Sequence, residues 1–300
     1  MVVYSMLKFT VDETLGYKYG SKTRCFVIVR SAEQLVTIQI ILYRSLKNTI
    51  IMDRWFGKTA IVTGASSGIG EVIAEYLVKE GMQVVGLSRR VERIQANAVK
   101  LADSKGKLYA FKCDIRNEEE VCKAFEWTTA NVGIVHVLVN NAGISRPTNL
   151  IAGDAEMWRT VLETNVLGLC VAQREACKLM MANDIAGHIV NINSIAGQSH
   201  LYYASTNVYG ASKHALTNIC EMLRSELTTN KSKIKVTSVS PGLVRTEINE
   251  LYSFPDEVEA MKDMPMLEPK DVAEAVLYTL GTSPSIMVNE ITLRPVGSAF

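Results

Sequence analysis

From residue 57 onward, the apolar positions of the chain alternate between a strand period and a helix period. Thr59 to Thr63 is a short, mostly apolar run of the kind found in a buried strand. Ile69 to Glu80 has its apolar residues at helical spacing, and Gln83 to Leu87 returns to a β-like run. This succession predicts a βαβ unit, whose two strands lie parallel.

The same rhythm continues to the end of the chain. Asn117 and Gly281 occupy positions typical of a helix N-cap and a helix C-cap. The alternation predicts a single-domain α/β fold of the Rossmann type: a doubly wound parallel sheet of about seven strands with helices on both faces. Beyond the first unit we expect strands at Leu108 to Cys113, Val135 to Val139, His188 to Asn193, Ile234 to Val239 and Met287 to Leu293, and helices at Glu118 to Asn131, Asp154 to Ala182, Val208 to Thr229 and Asp271 to Leu280.

The first 51 residues do not follow this rhythm. Their apolar runs, Cys25 to Val29 and Leu35 to Tyr43, are bounded by charged residues and fall short of the ~20 apolar residues that a membrane span needs. We therefore predict an N-terminal extension at 1–51 that is not part of the catalytic fold, and a dinucleotide-binding and catalytic domain at 52–300. A peripheral membrane-contacting segment is the alternative for the extension.

Composition narrows the classes of partner. The 300 residues carry a net charge of +1, and their basic residues are scattered, so no stripe suited to a nucleic-acid backbone is present. The six cysteines form no CxxC pair, which argues against a zinc site or disulfide framework and favours a reducing, cytoplasmic location. We expect no metal and interpret the histidines, which lack ligand spacing, as surface or loop residues: His136, His188, His200 and His214.

A glycine-rich turn follows the first predicted strand and opens the first predicted helix. Its sequence, Thr63-Gly-Ala-Ser-Ser-Gly-Ile-Gly70, lets the backbone approach a diphosphate and present N–H groups at the positive end of a helix. The spacing TGxxxGxG differs from GxGxxG, and Glu71 stands where a phosphate-binding P-loop has lysine, which disfavours phosphoryl transfer. The turn therefore predicts a dinucleotide cradle, formed by Gly64, Ser66, Ser67, Gly68, Ile69 and Gly70.

A tyrosine and a lysine stand four residues apart in a later predicted helix. Positions i and i+4 share a helix face, so Tyr209 lies beside the fixed positive charge of Lys213, which favours the phenolate. This pair predicts a proton-transfer catalyst. Tyr202 and Tyr203 have no lysine four residues on, and we interpret them as pocket wall.

The glycine turn and the Tyr209/Lys213 pair, in this order, resemble the short-chain dehydrogenase/reductase family. Asn140-Asn-Ala-Gly143 and Pro241-Gly-Leu-Val-Arg-Thr246 match further family motifs. The resemblance implies a catalytic set of Asn165, Ser194, Tyr209 and Lys213. Beyond the glycine turn and the Tyr209/Lys213 pair, it implies cofactor contacts from Asp114, Ile115, Asn141, Ala142, Gly143, Pro241, Gly242, Val244 and Thr246.

In that family, hydride passes between a nicotinamide and a carbonyl carbon while a proton moves to or from the oxygen. The resemblance implies that Ser194 orients the oxygen, that Tyr209 transfers the proton, and that Asn165 completes a relay through water. It implies that Lys213 binds the cofactor ribose and, with the positive ring of the cofactor, lowers the Tyr209 pKa from its ordinary value near ~10.

The end of the second predicted strand indicates which cofactor is bound. An NAD site places a carboxylate there, whereas this chain has Gly86-Leu-Ser-Arg-Arg90. Two guanidinium groups suit the 2′-phosphate of NADP, and we expect Arg89 to be the stronger contact and Arg90 the second. A solvated pair of arginines at the start of the next helix is the alternative.

The segment between Thr246 and Leu267 is rich in methionine and aromatic residues, which favours an apolar substrate. In four other segments the chain resembles a farnesol-dehydrogenase-like branch of cytosolic NADP-dependent reductases: Asp53 to Lys58, the double arginine at Arg89 and Arg90, Asn191 to Gly197, and Glu290 to Gly297. That resemblance implies a lipophilic alcohol or carbonyl substrate such as a farnesol-like isoprenoid, a retinoid or a steroid. It also implies a homodimer or homotetramer packed through the helices beginning near Asp154 and Val208.

Other functions fit the sequence less well. A serine hydrolase would carry a GxSxG elbow, and an extended-type epimerase would need more than the ~60 residues that follow Pro241. A noncatalytic NADPH-binding sensor of the same fold is the alternative from another class. It predicts a degraded catalytic set, whereas all four positions are intact here.

Overall fold

The computed structural model describes residues 15–19, 23–27, 52–199, 207–248 and 264–298. The chain forms two compact units, Met1–Ile50 and Ile51–Phe300. In the first unit, β1 (Leu15–Tyr19) and β2 (Thr23–Val27) pair antiparallel, with Leu15 opposite Val27. This pair of strands was not predicted from the sequence. The apolar run predicted at Leu35 to Tyr43 lies outside the described residues.

The second unit is built on one parallel sheet of seven strands, as predicted. The strands are ordered β5-β4-β3-β6-β7-β8-β9, so the chain winds outward in one direction from β3 and then in the other. The order reverses between β3 and β6, and ligands bind at such a switch point in doubly wound sheets. The strands are β3 (Thr59–Thr63), β4 (Gln83–Ser88), β5 (Lys107–Lys112), β6 (Val135–Asn140), β7 (His188–Ile192), β8 (Lys235–Pro241) and β9 (Glu290–Leu293).

Helices cover the sheet. A short 3₁₀ turn, Asp53–Trp55, precedes β3. Three pairs of helices pack against each other: α1 with α7, α3 with α5, and α4 with α6. The helices are α1 (Gly68–Lys79), α2 (Val91–Lys100), α3 (Glu118–Asn131), α4 (Ala155–Leu162), α5 (Leu169–Ala182), α6 (Asn207–Thr229) and α7 (Pro269–Gly281).

The central strands are buried along their whole length, which explains why they read as apolar runs rather than as alternating patterns. Every residue of β3, β7 and β8 is buried. Side chains from α3, α5 and α6, such as Phe125, Ala172 and Leu216, complete the core against these strands. The core therefore fixes the positions of the strand ends that carry the site.

Two helix predictions need correction. The helix expected from Asp154 to Ala182 is interrupted by a π-helical turn at Glu163–Gly168, and Asp154 serves as the N-cap of α4. The predicted C-cap, Gly281, lies inside α7, and Thr282 ends the helix with an extended backbone. Because Thr282 leaves the helix in the β region, no left-handed glycine is needed there.

The predicted cap of α3 is confirmed, but the surface-or-loop interpretation of His188 is wrong. The Asn117 side chain accepts from the backbone N–H of Glu120 at 3.2 Å. His188 begins a central strand, is fully buried, and places its Nε2 2.8 Å from Thr237 Oγ1. Burial lowers the pKa of His188 to about 3, so the imidazole is neutral.

Two further features of the described residues concern membranes and metals. None of their helices is long and apolar enough to cross a membrane. They also hold no group of three or more His, Cys, Asp or Glu side chains that could bind a metal ion.

Candidate active site and cofactor cleft

A cavity of about 840 Å³ opens at the carboxyl ends of β3, β4, β6, β7 and β8. This is the edge of a parallel sheet at which ligands bind. Gly70 and Asn165 are the two predicted site residues that do not line it. The cavity brings together Gly64, Ser66, Ser67, Gly68, Ile69, Arg89, Arg90, Asp114, Ile115, Asn141, Ala142, Gly143, Ser194, Tyr209, Lys213, Pro241, Gly242, Val244 and Thr246.

The glycine turn is stabilised by its left-handed glycines and by the segment that follows β6. Gly64 and Gly68 have left-handed backbones, with φ of 68° and 58°, which glycine adopts without strain. Asn141 anchors the turn by donating from Nδ2 to the carbonyl oxygen of Thr63 at 3.0 Å. A Cβ at Gly70 would lie 2.5 Å from the Gly64 oxygen. Gly70 is therefore needed for close packing within the turn, although it does not line the cavity.

Polar groups gather where β4 ends. Ser88 Oγ donates to Ser66 Oγ at 2.8 Å, and Arg90 Nη2 donates to Ser67 Oγ at 2.7 Å. Within the described part of the chain, Arg89 makes no hydrogen bond or ion pair, so its guanidinium is available to a ligand. The strand ends at Ser88 without a carboxylate. This end of the cavity is suited to an anion.

A second polar group lies where β5 ends. Asp114 forms an ion pair with Arg116 at 2.6 Å, which holds the Asp114 pKa below its ordinary value. Asp114 and Ile115, both predicted as cofactor contacts, line the cavity. The backbone of Ile115 also packs closely against the π-helical turn, because a Cβ at Gly168 of that turn would overlap the Ile115 carbonyl oxygen.

The tyrosine and lysine meet at the other end of the cavity. Lys213 Nζ lies 5.7 Å from the ring centre of Tyr209 and donates to the carbonyl oxygen of Ile192 at 2.8 Å. The side chain of Lys213 is almost wholly buried, and burial lowers its pKa to about 8. Its ammonium group is therefore fixed by the end of β7.

The expected lowering of the Tyr209 pKa is not found in the chain by itself. Burial raises the pKa of the phenol, and only a hydrogen bond with Ser194 opposes that shift. The Lys213 charge contributes no comparable effect at its distance from the ring. A cofactor ring with positive charge is the remaining source of the expected lowering.

Ser194 is positioned by the turn that follows β7. It is the N-cap of a 3₁₀ turn, Ile195–Gly197, and its Oγ accepts from the N–H of Ala196 at 3.1 Å. Gly197 is required because a Cβ there would lie 2.6 Å from the Lys213 carbonyl oxygen. The turn thus packs directly on the helix that carries Tyr209 and Lys213.

Asn165 supports the site from behind rather than facing the cavity. Its Oδ1 accepts from the N–H of Ile144 at 2.9 Å, and its Nδ2 donates to the Ile144 oxygen at 2.9 Å and to Ser212 Oγ at 3.0 Å. These bonds use the donors and one acceptor position of the amide. The second acceptor position of Oδ1 is left over, so the Asn165 amide could hold a relay water only by accepting a hydrogen bond from it.

The loop after β8 closes one side of the cavity. Gly242 donates its N–H to the Leu293 oxygen at 2.7 Å, and Val244 forms a β-bridge with Leu267. Thr246 packs over the glycine turn, because its Cγ2 would lie 3.2 Å from a Cβ at Gly68.

Several residues that line the cavity were not predicted from the sequence. Three of them are charged: Arg116, Arg146 and Glu247. Each lies within three residues of a predicted site residue at a strand end, and that proximity is the only signal that could have indicated them. Of the apolar residues expected between Thr246 and Leu267, Ile248 and Met264 line the cavity. Leu251, Tyr252, Phe254 and Met261 lie outside the described residues.

A dinucleotide fits these residues. The glycine turn leaves the backbone free of Cβ atoms where a diphosphate would lie, and α1 begins there at Gly68. In the sheet, β3, which leads into this turn, lies between β4, which leads to Arg89, and β7, whose last residue, Ile192, holds Lys213. All of these groups line one cavity. An extended ligand can therefore contact both ends at once.

Comparison with known proteins gives a consistent match. The family model described as short chain dehydrogenase matches residues 58–254. The chain is 49% identical over 251 residues to farnesol dehydrogenase from Aedes aegypti, covering 83% of this chain and 100% of that protein. It is 40% identical over 250 residues to dehydrogenase/reductase SDR family member 11 from Bos taurus, covering 81% and 98%.

A solved structure agrees with this match. The closed form of serine dehydrogenase complexed with NADP⁺ superposes with a TM-score of 0.73 at 31% identity. The alignment covers 81% of this chain and 96% of that one. The fold described above therefore occurs in a protein whose structure was solved in complex with NADP⁺.

Proposed function

The chain belongs to the short-chain dehydrogenase/reductase family, and from this premise we propose that it is an NADP(H)-dependent oxidoreductase for lipophilic alcohols and carbonyl compounds. One observation carries the proposal: Ser194, Tyr209 and Lys213 converge at one end of a cavity whose middle is the glycine turn. This arrangement places a proton donor and a cofactor cradle in the same cleft.

Different residues of the cavity would bind different parts of the cofactor. The backbone of the turn from Gly64 to Ile69 would hold the diphosphate, and Asp114 with Ile115 would line the adenine pocket. When bound, the nicotinamide supplies a hydride to a carbonyl carbon or takes one from an alcohol carbon. Lys213 would hold the adjoining ribose, because its ammonium is fixed by Ile192 and has further N–H donors.

Tyr209 moves the proton that accompanies hydride transfer. For carbonyl reduction, its hydroxyl donates to the substrate oxygen, and for alcohol oxidation its phenolate accepts from it. Ser194 is hydrogen-bonded to Tyr209 and would hold the same oxygen in place. Burial opposes the phenolate, and the positive charge of a bound oxidised cofactor would favour it.

The charges at the end of β4 support NADP over NAD. Arg89 makes no hydrogen bond or ion pair within the described residues, and the strand ends at Ser88 with no carboxylate to receive the ribose hydroxyls. Arg90 and the hydroxyl of Ser67 adjoin Arg89. An anionic 2′-phosphate is the cofactor group that this combination recognises.

Apolar side chains in the cavity support a lipophilic substrate. Ile144, Ile195, Ile248 and Met264 are among the residues that line it. The similarity to farnesol dehydrogenase points to isoprenoid alcohols, and retinoids and steroids share the required apolar skeleton. A panel of such alcohols and ketones tests this choice.

We also propose a cytoplasmic homodimer or homotetramer. Leu169 and Leu216, which lie on the two helix segments expected to pack against a second copy, are buried in the core of this chain. Leu162 and Leu167 instead expose an apolar surface on α4 and the π-helical turn, which a second copy could cover. Light scattering that gave a monomer across micromolar concentrations would contradict the assembly, and cell fractionation tests the location.

The substitution Tyr209→Phe tests the catalytic role. Turnover should fall by at least ~10²-fold, because the acid/base group is lost. NADPH binding should stay within a few-fold, since the ring is kept. The measurement is kcat together with the NADPH dissociation constant, and a variant retaining more than about a tenth of kcat would exclude Tyr209 as the essential acid or base. A wild-type protein that binds NADPH but turns over no substrate in the panel would indicate a sensor instead.

A further inference from the structure

A carboxylate already occupies the arginines at the anion-binding end of the cavity. Glu247 Oε2 lies 3.0 Å from Arg90 Nη1, and its Oε1 lies 2.5 Å from Arg93 Nη1. Glu247 comes from the loop after β8, more than 150 residues away in sequence from both arginines. One side chain therefore joins two parts of the chain through two ion pairs.

These ion pairs use the atoms that a phosphate needs. Both terminal nitrogens of Arg90 are engaged, Nη1 by Glu247 and Nη2 by Ser67 Oγ. A guanidinium recognises phosphate best when both nitrogens donate to it. Arg90, Ser67 and Glu247 all line the cavity, so the carboxylate stands inside the site that the cofactor would enter.

The contact can exchange with a ligand. The side chains of Arg90, Arg93 and Glu247 are each nearly half exposed, and ion pairs in such positions are weak and reversible. The Arg93 contact holds the pKa of Glu247 below its ordinary range, so the carboxylate stays ionised at neutral pH. A negative group in this place is attracted by the same arginines as an incoming phosphate and is repelled by that phosphate.

We propose that Glu247 is an internal competitor for the 2′-phosphate subsite: it holds Arg90 in the free protein, and an NADP-type cofactor must displace it from Arg90 while Arg93 retains it. Glu247 is thus a specificity-determining residue that weakens binding of the phosphorylated cofactor and leaves the unphosphorylated one unaffected. This inference rests on the proposed NADP function.

The substitution Glu247→Gln tests it, because the amide keeps the shape and removes the charge. The ligands are adenosine 2′,5′-bisphosphate and adenosine 5′-monophosphate, which differ only in the 2′-phosphate, together with NADPH and NADH. Titration calorimetry should give about 3- to 10-fold tighter binding of the bisphosphate and NADPH, the scale of a partly exposed charge contact with a multiply charged group. Binding of the monophosphate and NADH should change by less than about 2-fold.

Glu92→Gln is the matched control. Glu92 is exposed on the first turn of α2, next to Arg93 in sequence, but forms no ion pair with it in the described part of the chain. Removing the same charge there should leave the affinities for both nucleotides unchanged. An equal gain in Glu92→Gln would overturn the inference, because it would show a general charge effect.

The remaining outcomes separate the two hypotheses. Unchanged or weaker bisphosphate binding in Glu247→Gln, with a wild type that prefers the bisphosphate, overturns the competitor role and leaves the NADP assignment intact. A wild type that binds both nucleotides equally overturns the NADP assignment and the competitor role with it. Circular dichroism of the variants confirms that the fold is kept.

Discussion

At the scale of single residues, burial of Lys213 at the catalytic end of the cavity disfavours the charge that the proposed reaction needs. Lys213 is nearly wholly buried, and its pKa falls to about 8, yet the proposed reaction needs it charged. The protein keeps the group there by giving its ammonium one fixed partner, the Ile192 oxygen. A bound cofactor ribose would add further partners for the charge.

The Lys213 shift has a consequence for stability. Between about pH 8 and pH 10.5, the unfolded chain keeps a proton that the folded chain has released, so rising pH favours the folded state. We expect the wild type to gain up to about 3 kcal/mol of unfolding free energy across this range relative to Lys213→Met. Denaturant unfolding of both proteins without cofactor, at pH 7.5 and pH 10.5, measures the difference. Parallel pH dependence in the two proteins would contradict it.

Arg89 should decide the cofactor at the same scale. A charge-assisted hydrogen bond contributes ~1.5 to 3 kcal/mol, so Arg89→Ala should weaken NADPH binding by roughly 10- to 150-fold and change NADH little. Adding Ser88→Asp should invert the preference, since a carboxylate accepts from the ribose hydroxyls and repels the phosphate. The measurement is kcat/KM for both cofactors. Arg159→Ala, an exposed arginine paired with Glu156 outside the cavity, is the control. Unchanged NADPH kinetics in Arg89→Ala would refute the assignment.

Residue spacing along the chain predicted the functional groups whose geometry is set within one short segment. The glycine turn and the Tyr209/Lys213 pair lie within short segments whose spacing itself encodes their geometry. Glu247 and Arg93 are 154 residues apart, and no local pattern relates them. His188 was misread for a related reason, because its burial depends on neighbouring strands rather than on its own segment.

At the scale of elements, the π-helical turn between α4 and α5 is the feature that periodicity did not predict. Its six residues are too few to shift the apolar pattern of a long helix. It carries Asn165, whose side chain fixes the loop at Ile144. Such turns are frequent at functional sites, and this one supports the wall of the cavity.

Gly168 shows how tightly this turn is packed. A Cβ at this position would overlap the backbone oxygen of Ile115, so Gly168→Ala should destabilise the fold by about 1 to 3 kcal/mol. Gly210→Ala is the matched helical control. A Cβ there would have its nearest neighbour at 3.9 Å, and the change should be neutral or stabilising by up to ~1 kcal/mol. Urea unfolding of the three proteins checks both values. Equal stabilities would show that the turn can shift without cost.

At the scale of the whole molecule, the chain contains a complete sheet in its second unit, Ile51–Phe300. The alternation of strand and helix patterns predicted this sheet and its number of strands, because each buried strand is a separate apolar run. The antiparallel pair β1 and β2 was not predicted, since it belongs to a segment with no comparable rhythm.

A truncated chain beginning at Met52 should therefore fold and keep its activity. Every strand of the seven-stranded sheet and every cavity residue lies after that point. Expression of residues 52–300, with circular dichroism and an NADPH turnover assay, provides the measurement. An insoluble or inactive product would show that the extension belongs to the catalytic fold.

The order of the strands has a consequence for how the site comes into being. β3 lies between β4, which follows it directly, and β6, which arrives only after residue 134. The cavity draws on chain segments from Thr63 to Ser298, so no early fragment of a growing chain holds more than part of it. Long-range closures of this kind are late and slow events in folding. Recovery of turnover after dilution from denaturant should therefore lag behind recovery of helical signal, which makes the chemistry of this protein a reporter of its last folding step.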